Sequence, residues 1–307
     1  MTLSQQVERY IAYRRSLGHK FVGQEQYLMD YATHAASCGE SFVRSGTVYD
    51  WASKAPSARI SQDKLRYACG LARFLHAEDG RHEVPNPHFF GKKISRRPKP
   101  HLLSWPDVKQ IMDAALDLPP AGSMTPLTFH HIFGLMAATG LRRSEAIGLL
   151  LSDLTADGLL IRNAKNRKQR FIPLNVSVHH AMNEYLRARK HIGGSDKHLF
   201  VLSTGRPISI DYVTKIFLKL ARQIGLRGEP ELPGPRLHDL RHSFASRALE
   251  GMLSTERRDV GRHMLALSTY LGHSKVTDTY WYLEATPVLL KQVSDATERL
   301  HEERKND

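Results

Sequence analysis

Four short stretches of the sequence carry side chains able to grip an anion, move a proton or attack an electrophile. In "ATGLRRSEAIGL", Arg142 follows a Thr-Gly turn and Glu145 comes one helical turn later, where its carboxylate can hold the guanidinium rigid. In "RNAKNRKQRFIPL", Lys165 lies on a turn flanked by Arg162, Arg167, Lys168 and Arg170. A lysine there can reach into a groove, or donate a proton if its pKa is lowered. "LHDLRHSFASRAL" spaces His238 and Arg241 three apart and His238 and His242 four apart, so a helix would gather them on one face. "LGHSKVTDTYWYLEAT" holds His273 and two phenols, Tyr280 and Tyr282. A tyrosine hydroxyl, whose pKa is ordinarily about 10, is a weak nucleophile until it is positioned and deprotonated. A neighbouring cationic cluster favours the phenolate and orients a phosphate.

Singly, each stretch has an ordinary explanation: an ion pair at a helix start, a basic hairpin, core aromatics. The His-x-x-x-His spacing suggests a metal, but no His-Glu-x-x-His pattern, paired cysteines or carboxylate triad accompanies it, and no metal site is expected. Jointly they have a chemical logic. Two arginines can grip the non-bridging oxygens of a phosphodiester and stabilise the charge that grows in its pentacoordinate transition state. Histidines and a lysine can move protons, and a tyrosine can take up the phosphoryl group covalently. This chemistry needs no metal, nucleotide or other cofactor.

The elements that must position these groups are mainly helical. Apolar residues at helical spacing in "LSQQVERYIAYRRSLG", "QEQYLMDYATHAASCG" and "SARISQDKLRYACGLARFLHAED", with a short helix near "TVYDWASK", predict a bundle of about four helices over residues 1–90. Residues 91–103 read as a basic, proline-rich linker, either lying along a phosphate backbone or a solvated tether. The second domain, 104–307, opens with Ser104 as N-cap of "LLSWPDVKQIMDAAL". "LTFHHIFGLMAATG" and "RSEAIGLLLSDL" read as helices, and "GLLIRNAKNRKQRFIPL" as two short strands around a basic turn. Helices are then predicted over 176–190, 209–225, 237–250 and 275–304. The fold class is mainly α with one small β-sheet.

Composition points the same way. The 307 residues carry a net charge of +13, divided as +7 over 1–100 and +6 over 101–307, so both halves are basic and predict a polyanionic partner. Two cysteines, Cys38 and Cys69, without a CxxC pair, argue against a disulfide framework or a thiolate zinc cluster and suit a reducing cytosol. No apolar run approaches the roughly 18 residues that would span a bilayer, and the charged N-terminal stretch has no signal-peptide core.

The order Arg–Lys–His-x-x-Arg–His–Tyr resembles the tyrosine recombinase (phage integrase) family over residues 104 to about 290. The resemblance makes Arg142, Lys165, His238, Arg241, His273 and one terminal tyrosine catalytic, with Glu145 in support. Family spacing sets the nucleophile nine residues after the Leu-Gly-His histidine, which is Tyr282. Residues two apart on a helix point about 200° apart, so Tyr280 would be packing or a DNA-contacting neighbour. Where many members have glycines around the lysine, this chain reads "NAKNRKQR", so Lys168 competes with Lys165, and register with "RFIPL" favours Lys165. The 35 positions from His238 to His273 exceed those of compact members, and "GMLSTERRDVGRHMLALSTY" resembles transposon-associated integrases.

The resemblance implies an N-terminal helical core-binding (SAM-like) domain beside a catalytic domain, with DNA contacts from Lys92, Lys93, Arg96, Arg97, Lys99, Arg143, Arg167 and Lys168. It implies site-specific strand exchange through a 3′-phosphotyrosyl intermediate on double-stranded DNA, with no cofactor. A tetramer on DNA, with or without sister recombinases, is implied, as is a cytoplasmic, nucleoid-associated place in a bacterium. "PVLLKQVSDATERLHEERKND" would dock on a neighbouring protomer or pack on its own domain. The competing readings are a type IB topoisomerase-like nicking-closing enzyme and a DNA-binding regulator with an inactive site.

Overall fold

The computed structural model describes residues 1–91, 100–162, 169–192, 196–229, 234–252, 260–273 and 275–284. The chain divides into two compact units, 1–97 and 98–307.

The first unit packs α1 (Leu3–Ser16), α2 (Val22–Ser37), α3 (Ser45–Ser53) and α4 (Ala58–His76) around one core. Thr2 caps α1 and Ser57 caps α4, each accepting a backbone N–H of the first turn. The apolar stripes close on one another through fully buried Val7, Leu28, Tyr31, Val48, Leu65 and Leu71.

The second unit begins with α5 (Trp105–Leu116), where Ser104 accepts from the Asp107 N–H and the Asp107 carboxylate accepts from the Ser104 N–H at 2.8 Å. Eleven of the sixteen residues of α6 (Met124–Thr139) are buried, which makes it the central helix that the others cover. Then come α7 (Arg143–Ile147), strands β1 (Gly158–Ile161) and β2 (Arg170–Pro173), α8 (Val176–Arg189) and α9 (Ile210–Gln223). The strands pair antiparallel, Ile161 opposite Arg170 and Gly158 opposite Pro173. Three further helices follow: α10 (Asp239–Met252), α11 (Val260–Leu271) and α12 (Thr277–Glu284).

Two differences from the sequence-based expectation matter. Helix α10 starts at Asp239, so His238 stands in the turn before it, its carbonyl accepting the N–H of Arg241 and of His242. Helix α11 is an element that the periodicity did not single out. It forms within the added stretch because Met264, Leu267 and Leu271, at helical spacing, bury against Ala245, Leu249 and Tyr282. Of the helix expected over 275–304, 277–284 is seen as α12, and 285–304 lies outside the described residues.

The start of the second unit is tied to α10. Ser243 Oγ accepts from the Leu103 N–H at 2.7 Å, Arg247 Nη1 donates to the Leu103 carbonyl at 2.9 Å, and the Arg247 guanidinium lies 4.4 Å from the Trp105 ring centroid. This fixes α10, which carries Arg241, relative to α5 and α6.

Candidate active site

The Thr-Gly turn does two jobs. Gly140 ends α6 in the left-handed conformation, at φ 63°, and a Cβ there would sit 2.5 Å from the Phe244 ring, so a glycine is required on both counts. Its carbonyl accepts from Arg241 Nη1 at 2.7 Å. Two residues on, Arg142 precedes α7. Buried Glu145 accepts its backbone N–H at 3.0 Å and its Nη1 at 2.8 Å.

Glu145 also receives a second guanidinium. Arg170, the first residue of β2, donates Nη1 and Nη2 to the two carboxylate oxygens at 2.9 and 2.8 Å. Strand alternation puts Arg170 on the same face as buried Ile172. The two guanidiniums offset the cost of burying the Glu145 carboxyl and hold it well below the carboxylate range, at about 2.

The Leu-Gly-His segment is the end of α11, and its backbone accounts for the rest. Gly272, at φ 66°, closes a Schellman motif: the Gly272 N–H bonds the Thr269 carbonyl and the His273 N–H bonds the Ser268 carbonyl, each at 3.0 Å. The next three carbonyls each accept from a different arginine. Tyr270 takes Arg170 Nε, Leu271 takes Arg241 Nη2 and Gly272 takes Arg142 Nη2, at 2.8, 2.7 and 2.8 Å. The negative end of the helix dipole favours positive charge there.

His273 follows directly. Its Nε2 lies 3.1 Å from Arg241 Nη2 and its Nδ1 2.7 Å from Thr279 Oγ1. A guanidinium can only donate, so Nε2 accepts and Nδ1 bears the hydrogen, a tautomer assigned from this pattern. Partial burial, then the Arg241 and Arg142 charges, depress the His273 pKa to about 4. His238 is also held at about 4, by desolvation first and Arg241 second.

Tyr282 is 3% exposed on α12, three residues after buried Thr279 and therefore on the same face. Its ring centroid lies 5.5 Å from that of His242 and 6.1 Å from that of His273, and His242 in turn lies 4.5 Å from His238. An ionised Tyr282 would raise the Arg241 pKa, which burial and the Arg142 charge lower to about 10, leaving the guanidinium charged at neutral pH.

The structure thus brings Arg142, Glu145, His238, Arg241, His273 and Tyr282 into one cluster. Arg143, the first residue of α7, is exposed and outside it. Lys165, Arg167, Lys168, Lys92, Lys93, Arg96, Arg97 and Lys99 lie outside the described residues. Sequence reasoning gives Arg170 no role of its own, although a basic residue on the apolar face of a short strand was its signal, and it assigns nothing to Thr279. Among the described residues, no group of three His, Cys, Asp or Glu side chains is arranged to hold a metal ion. Three guanidiniums, those of Arg142, Arg170 and Arg241, gather near the buried carboxylate of Glu145; buried Asp239, felt at His238, is paired with Arg236, and Asp278 is a further negative charge felt at His273, so positive charge remains in excess for an anion.

This helical unit with its guanidinium cluster has the fold of the tyrosine recombinases: XerH bound to palindromic difH substrate, in a post-cleavage complex, superposes with a TM-score of 0.67 at 18% identity over 96% of this chain and 85% of that one. In sequence, y4rB of Sinorhizobium fredii, named as an integrase/recombinase, is 35% identical over 313 residues, 99% of each chain. The tyrosine recombinase XerC of Rhodospirillum centenum is 34% identical over 236 residues, 76% of this chain and 65% of that one. Residues 102–287 match the phage integrase family, and the chain belongs to it.

Proposed function

We propose that this chain, the site-specific DNA recombinase that its family membership makes it, cuts and rejoins DNA through Tyr282. The Tyr282 oxygen attacks the scissile phosphorus and the P–O5′ bond breaks. A 3′-phosphotyrosyl link forms and a 5′-hydroxyl leaves. A 5′-hydroxyl from the same or a partner duplex then attacks the link, restoring the phosphodiester and the phenol. One phosphoester replaces another at each step, so no nucleotide is consumed.

Arg142 and Arg241 hold the non-bridging oxygens, Arg142 with its side chain 23% exposed and Arg241 from within the protein. Both are pinned by carbonyls before DNA arrives, so little reorganisation is left for the transition state. His238 and His273 are neutral in the free protein; a bound phosphate would counter the arginine charge that depresses them and let them donate to its oxygens. Lys165 protonates the leaving 5′-oxygen. The basic segment bearing Lys92, Lys93, Arg96, Arg97 and Lys99 runs along the backbone, with Arg143, Arg167 and Lys168 adding phosphate contacts.

Residues 1–90 serve as a core-binding domain on double-stranded DNA, and the working assembly is a tetramer, with or without sister recombinases. The setting is a bacterial cytoplasm, at the nucleoid. No described helix is long and apolar enough to cross a membrane. The long stretch between His238 and His273 supports a place among transposon-associated integrases.

The carrying observation is buried Tyr282 packed between His242 and His273 beside Arg241. The test is a nicked suicide duplex bearing the ends of the element that encodes the protein. A covalent protein–DNA adduct is expected, lost in Tyr282→Phe and kept in Tyr280→Phe; the reverse pattern would overturn the assignment.

A further inference from the structure

Helix α11 ends with five carbonyls to account for, Ser268 to Gly272. The Schellman turn satisfies the first two, and Arg170, Arg241 and Arg142 take Tyr270, Leu271 and Gly272 in chain order. Arg142 and Arg241 have phosphate work in the proposed reaction. Arg170 is different: its side chain is 10% exposed, and its three bonds are to Glu145, twice, and to Tyr270. It is the cross-link between the β2 strand, the Glu145 carboxylate that holds Arg142, and the helix end that presents His273.

Resting on the recombinase reading of this site, we propose that Arg170 is a positioning residue for strand cleavage, setting Arg142 through their shared carboxylate and the α11 terminus without touching DNA. With Arg170 in place, both Glu145 oxygens accept from its guanidinium, Arg142 Nη1 shares only Oε1, and Arg142 Nη2 stays on the Gly272 carbonyl. Without it, Glu145 is left to Arg142, which is drawn toward a full ion pair and away from the phosphate, and the Tyr270 carbonyl loses its donor. Lysine does not replace it. One ammonium cannot reproduce a planar fork that meets two carboxylate oxygens while a third N–H, on Nε, meets a carbonyl.

The experiment uses the full chain and a suicide duplex, measuring DNA affinity, the single-turnover rate of adduct formation at saturating DNA, and the thermal midpoint. Arg170→Met and Arg170→Lys should each slow adduct formation by about 30-fold or more, while affinity stays within about threefold. The discriminating arm adds Arg142→Lys. If Arg170 works through Arg142, Arg142→Lys with Arg170→Met should be slower than Arg142→Lys by no more than about threefold. A fabric role would slow both backgrounds equally, and that result overturns the proposal. So does a near wild-type rate in Arg170→Lys, the milder variant, which keeps the charge should Arg170→Met fold poorly. If wild type forms the Tyr282 adduct while Arg170→Met matches its rate, only the positioning role falls. If wild type forms no Tyr282-dependent adduct, the recombinase reading falls instead.

Discussion

Arg241→Lys separates geometry from charge. Arg241 is 1% exposed and meets three acceptors: the Gly140 carbonyl at 2.7 Å, the Leu271 carbonyl at 2.7 Å and His273 Nε2 at 3.1 Å. These come from the end of α6, the end of α11 and the residue that α11 presents. Lysine keeps the positive charge but offers its donors from one nitrogen, so it cannot meet all three at those distances. At least one buried carbonyl is left unpaired, at a cost of about 1–3 kcal/mol. At roughly 2–4 °C per kcal/mol for a unit of this size, the thermal midpoint should fall by about 2–12 °C. Cleavage should suffer more, by about 10²–10³-fold, because a preorganised donor to the transition state is misplaced while the ground-state charge is kept. The assays are a thermal melt and single-turnover adduct formation on saturating suicide duplex, with a gel shift for affinity. A midpoint within about 1 °C of wild type, or a cleavage loss no larger than the loss of affinity, would refute the geometric argument.

Gly272→Ala meets two obstacles, a φ of 66° and a Cβ 2.9 Å from Arg170 Nη1, so it should cost about 1–3 kcal/mol and slow cleavage; an unchanged melt and rate would show that the turn tolerates a side chain. Ser104→Ala removes the α5 cap but no bond to a side chain of the site, and should lower stability by about 1 kcal/mol, read in a urea titration, with the cleavage rate at saturating DNA unchanged. The pH dependence of stability has two windows. His238 and His273 are held at about 4 against an ordinary 6.5, and burial lowers His82 and His131 as well. The unfolded chain binds the extra protons, so stability is full above about 6.5 and falls as pH drops toward 4. Glu145, held at about 2, contributes fully above its ordinary 4.5 and loses its share only as pH falls from there through 2. Melts between pH 6.5 and 5 should therefore steepen with the histidines, and His273→Asn should flatten that slope; an unaltered slope would place the titration elsewhere.

Much of the site was legible in the chain because its parts are local. The Thr-Gly turn before Arg142, the one-turn spacing to Glu145 and the Leu-Gly-His ending each specify a backbone conformation within a few residues. The α5 cap and the amphipathic stripes of the first unit are local in the same sense. His238 falls one residue before the helix expected to carry it, since the helix period that suggested one face for His238 and Arg241 does not say where the helix begins.

What composition, periodicity and spacing determined is a basic, mainly helical chain bearing an arginine, histidine and tyrosine set. What only tertiary structure decided is how those charges are held together. Arg170 lies 100 residues from the Tyr270 carbonyl it meets, and Arg142 lies 130 from Gly272. No window of sequence links such partners. The reason is that like charges gather only around something that satisfies them, and here that is a buried carboxylate and the open carbonyls of a helix end, which exist as a cluster of acceptors only once α11 has formed and docked.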